Sequence, residues 1–178
     1  MTEAGPDVSA RLAWPDDAAA IARIQVASWT QAYADVEEVD QVDQAQHAER
    51  WATLISRPPE ARVRVLVALE RATVRGYALV HPSHDPDSDP RADGEIAELT
   101  VSPAHRRRGH GSRLLQAVAD TLGADGFSRI VWWVEGRDDA RRAFATSAGW
   151  AADGAHRELE AESGARLSQV RLHTSLDS

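Results

Sequence analysis

Residues 94–122 read GEIAELTVSPAHRRRGHGSRLLQAVADTL, and the fold is decided here. The stretch 95–101 is a short extended run. Ser102-Pro103 breaks it, and an arginine- and glycine-rich turn follows, Arg106-Arg107-Arg108-Gly109-His110-Gly111. Leu114, Leu115, Val118 and Leu122 then recur at helix spacing. A strand, a glycine turn and a helix in that order point backbone N–H groups at an anion. The first N–H groups of a helix have no intrahelical partner, and the helix dipole adds partial positive charge there. Gly109 and Gly111 lack a Cβ, so a ligand can come close to the backbone. A phosphate or pyrophosphate suits such a turn. A solvated connection with a charged edge is the other reading of the same residues. No Gly-Lys-Ser/Thr follows, so this is not a P-loop. The third glycine and the later acidic residue of a dinucleotide fingerprint are also missing.

Composition sets the bounds. A chain of 178 residues suits one domain, 1–178, with a polar tail at 1–7 and a flexible loop at 82–93. The apolar share of 43% excludes a disordered chain. No run is long enough for a transmembrane helix and no basic-then-apolar leader is present, so neither a membrane partner nor export is expected. With no cysteine, a reducing, cytoplasmic setting is expected, and a thiol nucleophile or Cys-ligated metal is excluded. A formal net charge of -8 argues against nucleic-acid binding and is compatible with a cationic acceptor. All twenty basic residues are arginines and there is no asparagine, a bias of usage that weakens any argument from a missing Lys or Asn.

In chain order, 8–14 reads as a strand. Pro15-Asp16-Asp17 opens a helix with Asp16 as N-cap and Ile21, Ile24 and Ala27 inward. A second helix spans about 42–56, with Val42, Ala45, Ala48, Trp51, Ala52 and Ile55 inward, and Pro58-Pro59 ends it. Alternation over 63–69 gives a strand, turned at 70–73 into a partner at 74–81 that contains Gly76. The stretch 81–93, HPSHDPDSDPRAD, is a polar, proline-rich loop. Ile130, Val131, Trp132, Trp133 and Val134 form a nearly continuous apolar strand, buried on both faces. A helix at 138–148 closed by Gly149 and two last strands, about 155–161 and 165–174, complete the order. Periodicity alone gives mixed α/β.

Leu99-x-Val101-x-Pro103 followed by Arg106-x-x-Gly109-x-Gly111 resembles the acetyl-CoA-binding motif of the GNAT N-acetyltransferases, and the resemblance extends over roughly residues 8–174. It implies a central, mixed, mostly antiparallel twisted sheet flanked by helices, with a splayed strand pair for acetyl-CoA. It implies that Leu99, Thr100 and Val101 pair with the pantetheine arm through their backbone. Backbone N–H groups from Arg107, Arg108, Gly109, His110, Gly111 and Ser112 would hold the pyrophosphate, with Arg106 and Arg107 adding charge. Asp138 falls on the family's Asn position. Trp29 and Tyr33 match the aromatic residues that line the acceptor site in relatives. The general-acid Tyr of the family is replaced by Ala145, leaving Ser147, Thr146, water or departure as thiolate.

A protonated lysine-type amine, with pKa about 10.4, must lose a proton before it attacks a thioester. Glu98 and Glu95 are the candidate bases. In a regular strand they face opposite sides. If Leu99 and Val101 face the core, Glu95 goes with them and Glu98 is favoured, unless a bulge intervenes. His81-x-x-His84 with Asp85, Asp87 and Asp89 reads as a solvated loop rather than a metal site, so no metal is expected. His105 and His110 read as exposed loop residues. The expectation is therefore an acetyl-CoA-dependent N-acetyltransferase. An acyl-CoA-binding or regulatory module of the same fold is the second reading, and a plain nucleotide-binding domain the third. The acceptor amine, the length of the acyl group and a homodimer are left open.

Overall fold

The computed structural model describes residues 7–32, 43–160 and 164–176. The elements run β1 (Val8–Leu12), α1 (Ala18–Ala32), α2 (Gln44–Ser56), β2 (Arg64–Glu70), β3 (Thr73–Pro82), β4 (Asp93–Val101), α3 (His110–Ala124), β5 (Arg129–Glu135), α4 (Asp139–Ser147), β6 (Ala151–Glu160) and β7 (Arg166–Ser175), with 3-10 turns at Pro15–Asp17 and Pro103–His105. The sheet has seven strands in the order β1-β2-β3-β4-β5-β7-β6. β1–β2, β2–β3, β5–β7 and β6–β7 pair antiparallel, and β4–β5 is parallel. This is the mixed, mostly antiparallel sheet with helices that the resemblance implies.

The chain forms two compact units, Met1–Val80 with Glu98–Asp120, and His81–Ala97 with Thr121–Ser178. In the first, β2 has Val65 through Leu69 buried without a break, because β1 and β3 flank it and both faces are covered. Val65, Val67 and Leu69 pack with Ala18, Ile21, Ala22 and Ile24 of α1, with Trp51 of α2 and with Tyr77 of β3. The buried stripe of α1 follows i, i+3, i+4, i+7 through Ala18, Ile21, Ala22 and Gln25. That phase leaves Ala27 exposed, contrary to the expected inward face, and brings a glutamine into the core.

The start of α1 also differs from expectation. Asp17, not Asp16, makes the capping bonds: its Oδ2 accepts from the Trp14 N–H at 2.7 Å and from Arg11 Nη1 at 2.7 Å. Burial opposes ionisation of Asp17, but these hydrogen bonds and the Arg11 charge hold its pKa below the ordinary value. The second helix begins later than its apolar pattern suggests, at Gln44, because Asp43 caps it by accepting from Ala45 and Gln46 N–H groups at 2.9 and 3.2 Å. Val42 lies outside the described residues.

In the second unit, Ile130, Val131, Trp132 and Val134 of β5 are buried, as the continuous apolar run implied. The loop before β4 is not the freely solvated segment expected. Ser83 is fully buried, its N–H donates to Asp93 O at 2.8 Å, and Ser88 Oγ lies 3.0 Å from Ser83 Oγ. Asp85 accepts from Trp133 Nε1 at 3.0 Å and from Arg171 Nη1 at 3.1 Å, while Arg171 Nη2 reaches Asp87 at 2.6 Å. The two carboxylates expected to be solvated are thus held by an arginine that is only 5% exposed.

Gly76 in β3 sets how closely β4 and α3 approach. A Cβ built there would sit 2.9 Å from Thr100 O and 3.2 Å from Leu114 Cδ1. A side chain can rotate aside, but a backbone carbonyl in a sheet cannot. Gly76→Ala is expected to destabilise the protein by about 1–3 kcal/mol, the range for overpacked sites, read as a lower urea midpoint at unchanged slope.

Candidate active site

Glu98 of β4 is half-buried, and three neutral side chains from three elements are arranged about it. Gln25 Nε2 of α1 donates to Glu98 Oε1 at 3.2 Å and lies 3.5 Å from Oε2. Tyr77 of β3, itself 1% exposed, gives Glu98 a side-chain hydrogen bond. Trp51 of α2 donates its Nε1–H to Gln25 Oε1 at 3.0 Å and meets the Tyr77 ring edge-on at 5.1 Å between centroids. Burial raises the Glu98 pKa, and the bonds from Gln25 and Tyr77 pull it only partly back. A carboxylate so placed holds a proton more readily than a surface glutamate, which is what a general base for an ammonium needs.

Glu95 has a different setting. Its Oε2 lies 3.5 Å from His81 Nε2. Burial raises its pKa too, with the charge of Asp85 adding to the effect and that of His81 opposing it. His81 Nδ1 is 2.6 Å from Pro82 O; a carbonyl only accepts, so this nitrogen carries the proton. The rings of His81 and His84 stack at 5.3 Å. No metal-ligating group of three or more residues occurs among the described residues.

Along β4, Gly94, Ile96 and Leu99 are buried while Glu95 and Glu98 are both half-buried, so burial by itself does not separate the two glutamates. The parallel register with β5 covers Asp93 to Ile96 and ends there, at Ile96↔Trp132.

After β4, the Ser102 N–H donates to Arg75 O at 2.7 Å and the chain turns into the glycine loop. Arg107 and Gly109 both take positive φ, 63° and 88°. The left-handed value strains an arginine but suits a glycine. Arg113 N–H is bonded to Gly109 O at 3.0 Å, so the N–H groups of His110, Gly111 and Ser112 are those an α-helix leaves without helical partners. Arg106, Arg107, Arg108 and Ser112 are exposed there. Arg108 Nη1 is 3.6 Å from Glu70 Oε1.

His110 is not the exposed loop residue expected. It is 1% exposed, and neither ring nitrogen has a hydrogen-bond partner among the described residues. It heads the buried stripe His110, Leu114, Val118, Leu122, where an apolar residue would fit. Burial depresses its pKa, with Glu70 opposing and His105, Arg75 and Arg108 adding to the fall. A depressed histidine contributes stability above its unfolded pKa of about 6.5 and loses it as pH falls through that range. His110→Leu is expected to raise the thermal midpoint at all pH values, with the gap over the parent widening from pH 7 to pH 5.

Asp138 caps α4, its Oδ1 accepting from the Arg141 N–H at 3.0 Å. Trp29 packs edge-on against His47 at 5.2 Å, and Tyr33 lies outside the described residues. Ala145, where the missing tyrosine suggests a vacancy, is 0% exposed. A tyrosine there has no open volume to enter, so Ala145→Tyr is expected to lower stability by roughly 1–3 kcal/mol in a urea titration. Sequence reading misses Gln25 and Tyr77 and takes Trp51 for core alone. The available signal is a polar residue on an apolar helical stripe, since a buried amide requires partners.

A family model described as Acetyltransferase (GNAT) family matches residues 19–150, and the chain belongs to that family. A mycothiol acetyltransferase of Kineococcus radiotolerans is 39% identical over 99 residues, 56% of this chain and 30% of that protein. One from Nocardiopsis dassonvillei is 35% identical over 95 residues, 53% of this chain and 26% of that protein. The chain thus spans less than a third of the length of these curated relatives. Among solved structures, yncA of Salmonella typhimurium, determined with its cofactor acetyl-CoA, superposes with a TM-score of 0.72 at 24% identity, covering 96% of this chain and 95% of that one. An N-acetyltransferase of Staphylococcus aureus Mu50 gives 0.74 at 17% identity, covering 96% and 99%. At these identities the likeness establishes the fold.

Proposed function

We propose that this chain transfers an acetyl group from acetyl-CoA directly to a primary amine, with Glu98 as general base. The observation that carries the reading is a half-buried carboxylate, held by neutral donors, on the strand that leads into the glycine turn. Glu98 takes one proton from the ammonium form of the acceptor. The neutral nitrogen forms the new C–N bond at the thioester carbonyl, the C–S bond breaks, and the sulfur leaves as thiolate to be protonated from solvent. The backbone of Leu99, Thr100 and Val101 lies along the pantetheine arm, and the N–H groups of 107–112 receive the pyrophosphate. Arg106 and Arg107 are both exposed at the turn and would add positive charge there. The Salmonella protein was solved with acetyl-CoA, and an N-acetyltransferase of Thermoplasma acidophilum in complex with coenzyme A, which supports this choice of donor. The name of the curated relatives belongs to longer proteins and is not carried over.

Ala145 favours one rival. With no tyrosine hydroxyl to protonate the sulfur, an acyl-CoA-binding module with little turnover is the second reading. No helix among the described residues is long and apolar enough to cross a membrane. A cytoplasmic protein that binds neither nucleic acid nor membrane is the setting we assign. The net charge of -8 argues against nucleic-acid binding.

Acetyl-CoA is expected to raise the thermal midpoint by an amount that grows with the logarithm of its excess over the dissociation constant, and Gly109→Glu to remove that shift. An added Cβ at Gly109 meets nothing within 4 Å, so the variant is strained by its φ of 88° but not blocked by packing. An undiminished shift in folded Gly109→Glu would reject the turn as the pyrophosphate site. Acetyl-CoA consumption is then followed against spermidine, kanamycin and an alanine-terminated peptide. Glu98→Gln is expected to lower turnover by roughly 10²–10⁴-fold with acetyl-CoA affinity kept. The activity should fall on the acid side with a midpoint above the ordinary glutamate value, in keeping with the raised pKa. Acetyl-CoA binding without consumption against the whole panel would favour the module.

A further inference from the structure

We propose that Trp51 and Gln25 are positioning residues that act in series on Glu98: the indole fixes which way the glutamine amide points, and the amide in turn orients the carboxylate. The inference rests on the reading of Glu98 as the base, and goes beyond it by assigning roles to two residues of the core, one bonded to the carboxylate and the other to the amide that holds it.

What each group can donate fixes the geometry. An indole nitrogen carries a hydrogen and cannot accept. The partner of Trp51 Nε1 at 3.0 Å is therefore the oxygen of the Gln25 amide, and the amide has one orientation only. Its NH2 is left facing Glu98 and straddles both carboxylate oxygens, at 3.2 and 3.5 Å. Gln25 and Trp51 are each 6% exposed, so water does not compete for these bonds. Four elements contribute one residue apiece: α1 gives Gln25, α2 Trp51, β3 Tyr77 and β4 Glu98. The influences on Glu98 are its burial and the bonds from Gln25 and Tyr77; among the described residues no charged side chain adds to them. The carboxylate is thus held by two neutral donors, which favour its charged form without neutralising it. The lone pairs that remain can take the acceptor's proton.

If Trp51 loses its N–H, the amide oxygen loses its buried partner and only the bond to the carboxylate still orients the amide. A less firmly held amide presents its NH2 to the carboxylate for less of the time, which disfavours the anion. A change at Trp51, whose indole bonds Gln25, is then felt at Glu98 through the amide. A glutamine serving only to hold α1 against α2 would not produce that effect.

The test uses the full chain with glutamate carboxyls labelled with carbon-13, and the Glu98 resonance assigned by its loss in Glu98→Gln. Its titration midpoint is measured by NMR in the parent, in Trp51→Phe, in Gln25→Met and in the double variant. Trp51→Phe and Gln25→Met are each expected to raise the midpoint by about one unit, a tenfold change in proton affinity. The double variant should add little to either, because the two act in series. The acid limb of kcat/KM for the panel amine that is acetylated should move with the midpoint, with the KM for acetyl-CoA unchanged. Gln25→Glu is the companion variant should Gln25→Met fail to fold: a second carboxyl at the same place must raise the midpoint further. A Glu98 midpoint unmoved in folded Trp51→Phe overturns the proposal, as does a lowered thermal midpoint with no change in titration. Turnover retained in Glu98→Gln would instead reject Glu98 as base, and the titration would still report whether Trp51 and Gln25 control its charge.

Discussion

The close approach of β3, β4 and α3 at Gly76 is the steric constraint on which the rest of the first unit depends. A single methyl group there would fall 2.9 Å from the carbonyl of Thr100 and 3.2 Å from Leu114. Because glycine occupies the position, β4 lies tightly alongside β3. Tyr77, one residue further along β3, then reaches Glu98. The same contact seats Leu114 of α3 and so places the start of that helix, where the glycine turn ends. Glu98 and the glycine turn thus both depend on one backbone contact in the sheet.

The two units treat buried charge in opposite ways. Arg171 is met by three carboxylates: its Nε donates to Asp153 at 2.6 Å, its Nη1 to Asp87 at 2.7 Å and to Asp85 at 3.1 Å, and its Nη2 to Asp87 at 2.6 Å. Asp87 is held down to about 2 by this contact, chiefly through its hydrogen bond with Arg171. Such a cluster is satisfied on all sides and ties the loop before β4 to β7. Glu98 has hydrogen bonds but no counter-charge among the described residues, and its pKa rises. The first arrangement links the loop to β7 by ion pairs. The second keeps a carboxylate ready to exchange a proton.

His110 and Ala145 show where this chain departs from what its motif implies. The glycine turn has the flanking residues and backbone conformation an anion calls for, yet its central side chain is an imidazole buried without partners among the described residues. Burial lowers the pKa of the ring and so favours its neutral form. At Ala145 the side chain is small and enclosed, so leaving-group protonation is not assigned to that position. The chemistry that remains to the protein is proton removal and orientation.

The order of elements, the glycine turn and the apolar stripe of α3 are all legible in the sequence. They depend on local patterns: helix periodicity, a proline break, and glycines where the backbone needs them. Glu98 is legible as a candidate too, from its charge and its place on the strand before the turn, but its half-buried state is shared with Glu95 and does not single it out. The loop before β4 reads as solvated because its aspartates and prolines are locally polar; the arginine that holds it lies 84 residues away from Asp87 in the chain. Gln25, Trp51 and Tyr77 cannot be joined to Glu98 by any spacing rule, because they come from separate elements and meet only once helices and sheet have packed. Which residues are polar, aromatic or acidic is written in the chain. Which of them share a hydrogen bond in a dry interior is decided by the tertiary structure alone, because burial changes what a carboxylate, an amide and an imidazole do.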